Sequence, residues 1–249
     1  MTILQATDVR KLYGTFSALD GVSLAIGEGE HVSIIGPNGA GKTTLVNVLT
    51  GLVAPSSGSV LFKGIDVARQ GPLQLSRLGM ARSFQLLNIF PQLSVRETLA
   101  VAAISRLGMG RRIFSGLRKN SAVWDIVERV AHLFAFSNKL DQPARSLAQG
   151  DKKLLDVASA FALQPEIILL DEPTSGVSTA EKSTIMQVLV QAAKQTGIKS
   201  IIQVEHDMDI VFGYSSRIIA VHNGRILADG SPQAIRAQTD VMSTVVGRL

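Results

Sequence analysis

The chain has no cysteine among its 249 residues, which excludes disulfides and thiolate metal sites and agrees with a reducing compartment. It also lacks any stretch approaching the roughly 18 uncharged apolar residues that a membrane-spanning helix requires. Its longest apolar candidates, around Thr98 to Ser105 and Glu166 to Leu170, are of core size. The opening Met1-Thr2-Ile3-Leu4 has no basic start and no small-residue cleavage site, and it leads into a strand pattern with Asp8 and Arg10, so no signal peptide is expected. Internal repeats and low-complexity linkers are missing too. A formal charge of +5 is too modest to single out a nucleic-acid partner, since phosphate ligands or an anionic membrane surface account for it equally well. The length suits one large α/β domain, with or without a smaller inserted lobe, and is too short for two complete nucleotide-binding units.

Against these absences stands one dense motif. Gly36-Pro37-Asn38-Gly39-Ala40-Gly41-Lys42-Thr43 fills every fixed place of the phosphate-binding pattern G-x-x-x-x-G-K-[ST]. The residues before it, His31-Val32-Ser33-Ile34-Ile35, read as a buried parallel strand. Those from Lys42 to Leu52 carry apolar residues at helical spacing until Gly51 and Pro55 break the run. In that setting the glycines turn backbone N–H groups inward around phosphates and the helix N-terminus adds positive potential. Lys42 then reaches the β- and γ-phosphates, and the Thr43 hydroxyl is placed to coordinate Mg²⁺, with Thr44 following. The expected ligand is a nucleoside triphosphate.

A second signal lies far along the chain. Ile167-Ile168-Leu169-Leu170-Asp171-Glu172 is an apolar run ending in two carboxylates, as a buried parallel strand opening into a ligand crevice should. Asp171 is the candidate for holding Mg²⁺ and Glu172 for orienting or deprotonating the attacking water. Asn138-Lys139-Leu140-Asp141 matches the guanine-recognition pattern N-K-x-D, but it trails a helical pattern, precedes Asp171, and Thr174 occupies the place where GTPases have glycine. We read it as a helix-ending turn before Pro143. Adenine is favoured instead, because Tyr13 ends an early strand segment and can stack on a base.

Taken together, these segments resemble the ATP-binding subunit of ABC transporters over essentially the whole chain. By that resemblance Tyr13 is the adenine-stacking aromatic, Gly36 to Thr43 the phosphate loop, and Gln85, in Ala81-Arg82-Ser83-Phe84-Gln85, the glutamine that senses Mg²⁺, water and the membrane partner. Leu147-Ala148-Gln149-Gly150-Asp151 takes the signature position, Pro173 to Ser178 the dimer-contact loop, and His206 is the switch histidine. The resemblance implies an α/β phosphate-loop NTPase core with a mixed, largely parallel sheet, an antiparallel β subdomain and an inserted helical subdomain. Residues 1–85 and 151–230 form the core, 86–150 the helical lobe and 231–249 a C-terminal extension. It implies ATP and Mg²⁺ as cofactors, with Lys42, Glu172 and His206 catalytic. Nucleotide is held by Tyr13, Gly36, Pro37, Asn38, Gly39, Ala40, Gly41, Lys42, Thr43, Thr44, and by Ala148 and Gly150 across a head-to-tail dimer; Thr43, Gln85 and Asp171 serve the metal.

Within the family, the Ala-Arg-Ser-Phe-Gln and Val-Glu-His-Asp-Met runs and the phrase Ile113-Phe114-Ser115-Gly116-Leu117 look like the branched-chain amino acid importers. The resemblance therefore implies membrane permease subunits, a second ATP-binding chain that is a paralogue or a second copy, an extracytoplasmic solute-binding protein acting indirectly, no nucleic acid, and a place on the cytoplasmic face of the cell membrane. Two departures bear on the dimer: Ala148 replaces the signature serine, and Ser178 the aspartate of the dimer-contact loop. Other readings are a soluble ABC ATPase of cluster assembly or nucleic-acid processing, or a transport ATPase for urea, amides or lipid-type substrates. Arg106, Arg111, Arg112, Arg118 and Lys119, with no acidic residue between Ser105 and Asn120, are either a solvated loop or a face toward anionic lipid.

Overall fold

The computed structural model describes residues 1–83, 90–109 and 121–246. Gln85, the Ile113 to Leu117 phrase and the basic residues Arg111, Arg112, Arg118 and Lys119 lie outside them.

Two long alternating strands, β1 (Thr2–Tyr13) and β2 (Phe16–Gly27), fold back on each other at Gly14 and Thr15. With β4 (Ser57–Phe62) and β5 (Ile65–Asp66) they form an antiparallel sheet in the order β2-β1-β4-β5. The short apolar runs build a second sheet, in the order β10-β9-β3-β8-β7-β6. Its strands are β3 (His31–Ile35), β6 (Met80–Arg82), β7 (Ile167–Asp171), β8 (Ser200–Val204), β9 (Arg217–His222) and β10 (Arg225–Gly230). The first five pair in parallel, and β10 adds an antiparallel edge.

Because successive strand residues face opposite sides, β7 divides its side chains between two cores. Ile167 and Leu169 pack with Leu4, Val22 and Phe62 of the antiparallel sheet and with Leu45 and Leu49 of α1 (Lys42–Leu49). Ile168 and Leu170 pack on the other side with α5 (Gln149–Ala162) and α6 (Thr179–Thr196). α1 stops at Leu49, short of the Leu52 expected from periodicity, because the Thr50 hydroxyl bonds back to Val46 O (2.7 Å) and Gly51 turns left-handed.

α2 (Pro72–Leu78) precedes β6. α3 (Val95–Arg106), begun by a Ser94/Glu97 capping box, and α4 (Ser121–Leu133) share a core with α5, where the Phe134 and Phe161 rings meet edge-on at 5.0 Å. After β8 come α7 (Met208–Tyr214) and, beyond β10, α8 (Pro232–Arg236) and α9 (Thr239–Val246). Ile235 and Val241 of the last two pack on Ile35, Val211 and Ile218. The C-terminal ends of β3, β7 and β8 thus open on the same side, where a parallel α/β sheet places its ligands.

Candidate functional site

Between β3 and α1 the chain is held by its own backbone. Gly36 has φ of 155°, and a Cβ there would lie 2.2 Å from Val221 O of β9; at Gly41, with φ of 101°, it would lie 2.6 Å from Ala18 O. Gly224 N donates to Ala40 O at 2.9 Å, fastening the loop to the β9–β10 turn. Gly39, by contrast, has no heavy atom of the described residues within 4 Å of its Cβ position, so on their side the loop's concave tip is open. No acidic side chain occupies the first turn of α1, which leaves its positive end uncompensated. The buried Lys42 donates to Gly36 O (2.7 Å) and Pro37 O (3.0 Å). Burial lowers the Lys42 pKa, and the negative fields of Glu172 and Asp171 oppose that.

A cleft of ≈ 290 Å³ lies over this loop, lined by Asn38 through Thr44 and, from other elements, by Phe16, Ala18, Glu172, Val204 and His206. His206 Nε2 is 3.0 Å from Glu172 Oε1. Glu172 has a left-handed φ of 51°, held by its N–H to Val204 O (2.9 Å) and by Lys153 Nζ on its carbonyl (3.2 Å). Lys42, Glu172 and His206, far apart in sequence, meet at one cleft.

Asp171 does not line the cleft among the described residues. It is buried, with Oδ2 3.1 Å from Arg82 Nη2, and Arg82 Nη1 also donates to Asn47 Oδ1 of α1 at 2.6 Å. In the sequence Arg82 stands only as part of a motif, and its signal is a cation at the end of a short apolar strand, three residues before Gln85. Phe16 was also missed. It faces Tyr13 across the hairpin and, 63% exposed, lines the cleft, whereas Tyr13, half-exposed beneath Lys11 Nζ (5.2 Å from its ring), does not. An aromatic three residues after Tyr13, across a two-residue turn, was the clue.

Ala148 and Gly150 stand apart from this cleft. Ala148 is the N-cap of α5, which begins at Gln149, and it makes no side-chain capping bond. A Cβ at Gly150 would lie 2.9 Å from Glu181 Oε1. Asp151 is offset by Lys139 (2.6 Å); the lysine of the N-K-x-D tetrapeptide thus serves the first turn of α5. Ser178 caps α6 in a reciprocal arrangement with Glu181.

The open, glycine-lined cradle, the uncompensated helix end and Lys42 fit a polyphosphate. The Thr43 hydroxyl and the Asp171 carboxylate are hard oxygen donors of the kind Mg²⁺ takes. The sequence profile of the ABC transporter family matches residues 19–175. The chain belongs to the ABC transporter family. It is 34% identical to the high-affinity branched-chain amino acid transport ATP-binding protein LivG of Salmonella typhimurium, over 98% of each chain, and 31% identical to BraF of Pseudomonas aeruginosa over the same shares. Among solved structures it resembles a nucleotide-free ATP-binding cassette from an ABC transporter (TM-score 0.84, 30% identity, 100% of both chains). It also resembles a cassette in its ADP conformation (TM-score 0.85, 30% identity, 100% of both chains). As a family member it is an ATP-binding, ATP-hydrolysing α/β cassette. None of its described helices is long and apolar enough to cross a membrane.

Proposed function

We propose that the protein is the ATP-hydrolysing subunit of an importer for branched-chain or related amino acids, working with Mg²⁺ on the cytoplasmic face of the membrane. The observation that carries the hydrolytic reading is the Glu172–His206 contact at 3.0 Å beside a cleft floored by the phosphate loop. The substrate class rests on full-length similarity to LivG and BraF.

In this reading the loop amides and the α1 N-terminus bind the phosphates, and Lys42 exchanges its loop carbonyls for phosphate oxygens. Glu172 aligns or deprotonates the attacking water, and His206 Nε2, in contact with Glu172, fixes that carboxylate toward the transferred phosphoryl group. Thr43, Asp171 and Gln85 would hold Mg²⁺, which would supply charge neutralisation at the phosphates. Phe16 and Tyr13, at the hairpin end, offer aromatic surface to the base. Ala148 and Gly150 face the nucleotide of a second ATP-binding chain, which requires a dimer, and separate permease subunits carry the solute.

The test is Glu172→Gln in the assembled transporter. Uptake of labelled branched-chain amino acids and ATP turnover should both fall by at least ~10²-fold while nucleotide binding persists. Near-normal turnover would sink the assignment of Glu172.

A further inference from the structure

Glu205 has no part in the reading above. It follows β8 directly, is only 3% exposed, and accepts three hydrogen bonds. Oε1 takes Thr174 N (3.1 Å) and Thr174 Oγ1 (2.8 Å), and Oε2 takes His206 N (3.2 Å). Thr174 belongs to the loop between β7 and α6, two residues after Glu172. One buried carboxylate therefore spans the two loops whose side chains meet as Glu172 and His206.

The position calls for such a tie. The two loops separate after the Glu172 N–Val204 O bond, and Glu172 sits in a left-handed conformation that a non-glycine residue keeps only when its surroundings impose it. On the side of the phosphate loop's Gly36, Pro37 and Asn38, His206 and Glu205 border a second cavity of ≈ 360 Å³, so close packing does not fix His206 from there. Burial pushes the Glu205 carboxyl above the usual carboxylate range, and its three donors pull it back. A buried acid is a costly way to obtain stability alone.

We propose that Glu205 is a positioning residue for ATP hydrolysis: its carboxylate holds the Thr174 and His206 loops at the spacing at which Glu172 and His206 meet. The inference rests on the reading of Glu172 and His206 as the hydrolytic pair. Glu205→Gln puts an amide NH₂ against either the Thr174 donors or His206 N, and Thr174→Val removes one donor while keeping the side-chain shape.

In the assembled transporter, kcat should fall about tenfold or more in Glu205→Gln, because small misplacements of reacting groups cost up to about 10²-fold. KM for ATP should stay within about twofold, the mark of an interaction expressed in the transition state. Thr174→Val should lose less, and the double variant no more than Glu205→Gln alone, since both sever one linkage. Parent kcat in Glu205→Gln overturns the proposal, as does a kcat loss matched by weaker ATP binding and a lower melting temperature. Should Glu205→Gln fail to fold, parent kcat in Thr174→Val overturns it by itself. A turning-over Glu172→Gln control would defeat the hydrolytic reading; an inactive control beside normal Glu205→Gln and Thr174→Val defeats this inference only.

Discussion

On the Lys42 side the cleft is shaped by backbone, whereas on the Glu172 side it is shaped by side chains. The phosphate loop is shaped by glycines whose missing Cβ atoms let it lie against Val221 O and Ala18 O, and Lys42 itself rests on loop carbonyls. Opposite it, geometry depends on a chain of polar contacts: Asn47–Arg82–Asp171 within the core, and Thr174–Glu205–His206 with Glu172 above. A backbone-built surface fits any polyphosphate and is fixed once folded. A side-chain network can be retuned, or broken, by one substitution.

The strongest way to break the side-chain half is Arg82→Met. Removing one member of a buried ion pair leaves the other charge uncompensated, which costs about 3–5 kcal/mol. Asp171, with a side chain only 2% exposed, would be that charge. We expect this loss in urea denaturation, and much of it should return in Arg82→Met/Asp171→Asn, where both charges are gone. A single variant as stable as the parent would show that Arg82 and Asp171 are not coupled in solution.

The backbone half is tested by glycine substitutions. Gly36→Ala should lose about 3 kcal/mol and nucleotide binding together, because its Cβ meets a main-chain oxygen that cannot swing aside. Gly39→Ala carries only its positive φ, a penalty of about 1 kcal/mol. Equal effects at the two positions would mean that β9 does not clamp the loop.

This contrast also explains what the sequence revealed. The phosphate loop was legible residue by residue, because its chemistry is local: eight consecutive positions and the strand and helix on either side. The apolar run into Asp171 and Glu172 was legible for the same reason, as was the short strand from His31 to Ile35 that leads into the loop. Arg82 and Lys139 were quoted without their partners, because nothing local says that Arg82 meets Asp171, 89 residues away, or that Lys139 offsets Asp151. Phe16 was hidden by a hairpin register, and the start of α5 by the absence of a capping side chain at Ala148.

The smallest expected effect lies beneath the cleft, where the two halves share a foundation. His31 begins β3, which delivers the phosphate loop, and Gln203 lies in β8, which delivers Glu205 and His206. Gln203 Nε2 donates to Ser33 Oγ (2.9 Å), Ser33 and Ser215 hydroxyls are 2.5 Å apart, and the buried His31 Nε2 has no well-formed hydrogen bond among the described residues. Burial pushes the His31 imidazole below its ordinary value of 6.5, against a weaker upward influence from Gln203. The neutral ring is thus favoured in the folded chain, and the unfolded chain takes up the proton first. Stability from this group is complete above pH 6.5 and declines as the pH falls from there through the lowered folded value. Comparing urea midpoints at pH 7.5 and at more acidic pH should show the parent losing more stability than His31→Gln over that interval. Parallel losses would place the acid sensitivity elsewhere, and would mean that strands β3 and β8 are joined without any protonation cost at His31.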